Sequence, residues 1–123
     1  MAGEGNRRVL LVEDEPLVLR STAALFADDG FEVAEASGYE DALRCLADAP
    51  DTGLVVTDVH LEDGPDGLAL ANAVAERWPH MRIVIVSGCV RPEGGAYPDR
   101  AIFFTKPYAP GALLTLVKDP SVW

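Results

Sequence analysis

The sequence predicts a doubly wound α/β domain: a five-stranded parallel sheet, (βα) repeated five times, with a short or irregular fourth helix. Three observations carry that reading. Short, bounded, β-rich apolar runs (Val9-Leu10-Leu11-Val12, Leu54-Val55-Val56-Thr57, Ile83-Val84-Ile85-Val86) read as parallel strands buried on both faces. Helical patterns separate them, and right-handed crossovers then lay the strands parallel with helices on each side. Four of the runs end on polar chemistry, at Glu13-Asp14, Asp58, Ser87 and Lys106. In such a sheet the C-terminal strand ends gather at one edge, where ligands bind.

The elements follow in order. Residues 8–13 form the first strand, and Pro16 suits an early helix position, where its missing N–H costs nothing. The helix over 17–29 carries Leu17, Leu25 and Phe26 with small Ala23 and Ala24, and Gly30 stops it. After a short strand over 31–36, Ser37 and Glu40 have the spacing of a capping box. They open a helix through Ala42, Leu43, Leu46 and Ala47 that ends near Pro50. The third strand, 54–58, leads into a turn-rich loop over 60–67. Leu68, Ala71, Val74, Ala75 and Trp78 then fall at helical spacing, up to Pro79. The fourth strand covers 83–86. Pro92, Gly94, Gly95 and Pro98 exclude a long regular helix before the fifth strand at 101–105. Pro110 opens a last helix through Leu113, Leu114, Leu116 and Val117, which Pro120 stops.

At 123 residues the chain is one domain, with 1–6 a flexible start, 7–118 the folded unit and 119–123 a tail. Apolar residues make up 49% and are spread evenly, which excludes a disordered chain. The formal charge of −10 argues against nucleic acid or anionic lipid as a partner of a broad basic surface. Cys45 and Cys89 lack metal-ligand spacing and read as reduced thiols. Without an apolar leader or a run long enough to span a bilayer, a soluble cytoplasmic protein is expected.

The strand-end residues suit a divalent metal and a phosphoryl group. A carboxylate is a weak nucleophile, but Asp58 can attack an activated phosphorus centre and form an acyl phosphate. Anion meets anion in that attack, so a metal must neutralise charge. Glu13, Asp14 and Asp58 offer oxygens to Mg²⁺ (or Mn²⁺), which takes a few carboxylates plus waters and phosphate oxygens. Lys106 supplies a compact positive charge for phosphoryl oxygens and Ser87 a hydroxyl donor. Singly, Asp58 could be a helix cap, Glu13-Asp14-Glu15 a dipole partner of the first helix, and Lys106-Pro107 a surface corner. Their joint placement at strand ends favours one site.

The chain resembles the receiver domain of two-component response regulators over residues 7–118. The resemblance rests on Val-Glu-Asp-Glu-Pro (12–16), Thr-Asp-Val-His-Leu (57–61), Asp-Gly-Leu (66–68), Ile-Val-Ser-Gly (85–88) and Thr-Lys-Pro-Tyr (105–108). It implies a flavodoxin-like, CheY-like fold. It further implies that Asp58 is the phosphoacceptor, that Glu13 and Asp14 belong to the Mg²⁺ site, and that the backbone carbonyl of His60 is a further metal ligand. Ser87 becomes the switch hydroxyl, Phe103 the switch aromatic and Lys106 the phosphate-binding lysine, with a cis peptide between Lys106 and Pro107. The implied phosphoryl donor is a phosphohistidine on a sensor histidine kinase or a histidine phosphotransfer protein.

Some residues depart from the family's pattern. Ser87 and Lys106 stand 19 positions apart, a few fewer than usual, across a stretch broken by prolines and glycines. A core aromatic is the alternative for Phe103, an exposed loop histidine for His60, and an inert thiol for Cys89. Trp123, if exposed, would mark a contact surface. With Met1 at the start and the end soon after the last helix, the expectation is a stand-alone receiver, a monomer or weak dimer signalling to a downstream protein. It would catalyse its own phosphorylation and slow dephosphorylation but turn over no external substrate. Two alternatives stand beside it: a receiver excised from a hybrid histidine kinase, and a metal-dependent aspartyl phosphohydrolase, for which His60 stands where a second acid is usual.

Overall fold

The computed structural model describes residues 7–61, 64–88, 97–105 and 110–119. The elements run β1 (Arg8–Val12), α1 (Pro16–Asp28), β2 (Glu32–Ala36), α2 (Tyr39–Asp48), β3 (Leu54–Asp58), α3 (Gly67–Arg77), β4 (Arg82–Ser87), β5 (Ile102–Thr105) and α4 (Pro110–Lys118). All four strand pairings are parallel, in the order β2-β1-β3-β4-β5. The chain winds outward from β1 to β2, then crosses back to β3. The connections therefore reverse direction between β1 and β3, which opens a crevice at their C-terminal ends.

Strand residues alternate between two cores. Leu10, Val12, Val55, Ile83 and Ile85 pack against Ala42 and Leu46 of α2 and Leu70, Ala71 and Val74 of α3. Val9, Leu11, Leu54, Val56, Val84 and Val86 pack against Ala23 and Phe26 of α1 and Leu113 and Val117 of α4. With both faces covered, the middle residues of the central strands are apolar whichever face they point to.

Helix ends refine two expectations. Gly30, at φ +96°, ends α1 as a Schellman turn. Its N–H donates to the Ala27 carbonyl and that of Phe31 to the Phe26 carbonyl, at 3.0 and 3.1 Å. The accompanying apolar contact is the Phe26–Phe31 edge-to-face pair, 5.1 Å between centroids. The expected capping box at Ser37 and Glu40 is corrected. Gly38 is the N-cap of α2 with no side-chain cap bond, and the Asp41 carboxylate accepts from the Ser37 N–H at 3.2 Å. Leu17, in the first turn of α1, is 77% exposed. It lies about half a turn from the Ala23–Phe26 stripe that faces the sheet.

Away from the strand C-ends, Asp29 joins three segments. It pairs with Arg7 at 2.8 Å and with Lys118 of α4 at 3.0 Å, and Arg7 stacks over the Phe31 ring at 4.5 Å. The hydrogen bond from Lys118 holds the Asp29 carboxyl below its ordinary value of 3.8; burial opposes this in part, and Arg7 adds to it. Cys45 is a half-buried free thiol whose pKa is pushed up by burial. Between β4 and β5, residues 97–101 form a turn. There Arg100 donates to the carbonyls of Trp78 and Pro79 beyond α3. Cys89, Trp123 and most of the expected irregular stretch after Ser87 lie outside the described residues. Among the described residues no helix is long and apolar enough to cross a membrane.

Candidate phosphoacceptor site

Asp58 closes β3, 7% exposed, at the end of a strand with an unbroken buried pattern. Its carboxylate Oδ1 accepts the His60 N–H at 3.1 Å. The peptide it carries is held from several sides. The Val59 N–H donates to the Val86 carbonyl at 3.0 Å, and the Gly67 N–H donates to the Val59 carbonyl at 2.7 Å. The Thr57 hydroxyl donates to the Asp58 carbonyl at 2.9 Å. Gly67, the first residue of α3, sits so close that a Cβ there would lie 1.8 Å from the Asp58 carbonyl oxygen. The start of α3 is fixed in turn by Asp66, whose carboxylate accepts the Ala69 N–H at 3.0 Å.

At the end of β1, the Glu13 N–H donates to the Ala36 carbonyl at 3.1 Å. The Glu13 carboxylate accepts the Glu15 N–H at 3.1 Å, which ties one of its oxygens to the turn after the strand. Glu13 and Asp58 line one cleft together with Val18, Leu19 and Thr22 of α1 and Leu113 of α4. Its cavity of about 20 Å³ has room on the order of a single water-sized ligand. Asp14 is half-buried beside Glu13. Ser87 ends β4 at 2% exposure, one residue beyond Val86, the register partner of Asp58.

Of the residues expected at one site, the structure thus brings Glu13 and Asp58 into one cleft, with Asp14 and Ser87 at the same sheet edge. His60 contributes its N–H to the Asp58 carboxylate, and its side chain is exposed. Phe103 lies opposite Ile85 in β5 and packs on the α2–α3 core, its ring 5.8 Å from Tyr97. Lys106 and the Lys106–Pro107 peptide lie outside the described residues. Sequence reasoning gave no role to Thr57, Gly67 or Tyr97. Thr57 carried a signal, as the one hydroxyl in an otherwise apolar run.

Among the described residues no group of three or more His, Cys, Asp or Glu side chains is gathered as a metal cage. Mg²⁺ does not require one: it is held by one or two carboxylates and keeps waters and phosphate oxygens in its remaining positions. Two carboxylates on one cleft, with Asp14 adjoining, are a hard-oxygen donor set of that kind.

A five-stranded parallel sheet with a buried aspartate at the end of its central strand defines a receiver-type domain. The chain belongs to the response regulator receiver domain family, whose model matches residues 9–118. The structure resembles a response regulator receiver protein from Sinorhizobium medicae, with 32% identity, a TM-score of 0.80 and 90% of each chain covered. In sequence the chain is 35% identical over 81 residues to an NtrX-like response regulator of Rickettsia bellii, covering 65% of this chain and 17% of that protein. It is 26% identical over 120 residues to the phyllosphere-induced regulator PhyR of Methylorubrum extorquens, covering 97% of this chain and 45% of that one. The chain therefore spans less than half the length of these two relatives.

Proposed function

We propose that this receiver is a phosphorylation switch that accepts a phosphoryl group on Asp58 from a histidine kinase or phosphotransfer protein and signals by protein–protein contact. One observation carries the reading: Asp58, buried at the end of the central strand with its carboxylate held by the His60 N–H, lines one cleft with Glu13. An Asp58 carboxylate oxygen forms the new P–O bond as the P–N bond of a phosphohistidine breaks. The electron pair stays on the ring nitrogen, and neutral imidazole leaves from its protonated form. Mg²⁺, when bound, would neutralise charge on the carboxylate and phosphoryl oxygens. Glu13 and Asp14 would hold it with Asp58, and the His60 backbone carbonyl extends the same oxygen set. The Ser87 hydroxyl and Lys106 would receive phosphoryl oxygens.

The chain acts in this reading as a receiver in the cytoplasm, turning over no external substrate. The phosphorylated state shifts an existing equilibrium through Ser87 and Phe103. Intact mass after incubation with Mg²⁺ and acetyl phosphate tests it. One phosphoryl adduct that requires Mg²⁺ and is absent in Asp58→Asn is expected. An adduct that persists in Asp58→Asn overturns the assignment of the acceptor. Repeated turnover of a generic phosphomonoester would instead favour a phosphohydrolase.

A further inference from the structure

The run Leu54-Val55-Val56-Thr57 is apolar until its last residue, and Thr57 is fully buried on the central strand. Valine would fill the same volume with the same β-branched shape. A buried hydroxyl costs free energy unless it is hydrogen-bonded, so its presence calls for a partner. The Thr57 Oγ1 donates at 2.9 Å to the carbonyl of Asp58, the residue that carries the candidate nucleophile.

The same carbonyl oxygen lies against the Cα of Gly67, so closely that no larger residue fits there. One face of this peptide is thus set by packing from α3, and its oxygen is drawn to a hydroxyl of its own strand. Beyond it, Val59 is tied by its N–H to β4 and by its carbonyl to Gly67. The orientation of the Asp58–Val59 peptide decides where the Asp58 Cα–Cβ bond points. The carboxylate at the end of that bond accepts the His60 N–H of the next peptide at Oδ1.

We propose that Thr57 is a positioning residue for phosphoryl transfer: its buried hydroxyl fixes the Asp58 peptide against the start of α3 and so aims the carboxylate into the cleft. This rests on the reading of Asp58 as phosphoacceptor. A nucleophile held in attack geometry gains rate without any change in how tightly the donor is held. Loss of the hydroxyl therefore lowers the maximal rate and leaves the donor dependence alone.

The test follows phosphorylation by acetyl phosphate over time by intact mass, at saturating Mg²⁺ and varied donor, with rates normalised to the folded fraction. Thr57→Val removes the hydroxyl and keeps the shape; Thr57→Ser keeps the hydroxyl. The expected result is a maximal rate about tenfold lower in Thr57→Val, with an unchanged half-saturating donor concentration, and a rate near wild type in Thr57→Ser. If Thr57→Val does not fold, Thr57→Ala compared with Thr57→Ser isolates the same hydroxyl. A wild-type rate in Thr57→Val, or equal slowing in Val and Ser, overturns the inference while leaving the phosphoacceptor intact. A wild-type protein that takes no Mg²⁺-dependent adduct overturns the phosphoacceptor reading itself, and this inference with it.

Discussion

Gly67 packs on the Asp58 carbonyl with no room for a side chain. A methyl group at position 67 would meet the Asp58 carbonyl oxygen at 1.8 Å and its carbon at 2.8 Å, both backbone atoms that cannot rotate away. Gly67→Ala is therefore expected to displace the start of α3 and to cost about 3 kcal/mol of stability, read from urea denaturation. Asp58 and Glu13 were legible in the sequence because each ends a strand, and strand ends converge in a parallel sheet. The parts of Thr57 and Gly67 were not. The Thr57 hydroxyl stands out in its apolar run but its acceptor, the Asp58 carbonyl, does not, and Gly67 meets that carbonyl across a contact between β3 and α3 that residue type does not announce. The Asp66-Gly67 pair could be read as a turn, which describes its backbone and not what it touches.

Helix boundaries show how far local chemistry carries at the scale of elements. Gly30 identifies the end of α1 because the left-handed turn there needs no information from elsewhere in the chain. The start of α2 misleads because two adjacent residues, Ser37 and Gly38, are both acceptable caps. The extended Gly38 takes the position, which leaves the acidic partner at Asp41 instead of Glu40. Asp41→Ala is accordingly expected to cost about 1 kcal/mol, while Ser37→Ala stays within about 0.5 kcal/mol, both measured by thermal melts. A true capping box would reverse the dependence on Ser37. Leu17 is 77% exposed, and only the phase of the whole helix shows that it faces away from the sheet.

For the molecule as a whole, the five parallel strands and the helices around them were readable from bounded apolar runs and the patterns between them. What joins the layers at the far end of the sheet was not, since Arg7, Asp29 and Lys118 meet from three distant segments. This cluster gives stability a pH dependence with a definite sign. The Asp29 carboxyl titrates lower in the folded chain than its ordinary value of 3.8. Its contribution is thus complete above 3.8 and is lost as pH falls through the folded value. Urea midpoints collected from about pH 5 downward should show Asp29→Asn with a shallower acid decline than wild type. Equal slopes would mean that the cluster adds nothing beyond exposed ion pairs.

The alternation of strand residues between two cores has a consequence at Asp58. The sheet is a partition, and in β3 successive residues look into different rooms. The cleft onto which Asp58 opens is walled by α1 and α4. The peptide of the same residue is gripped by Gly67 of α3, on the other side. In the proposed reaction, phosphoryl transfer in front of the partition would act on a residue whose peptide is anchored behind it.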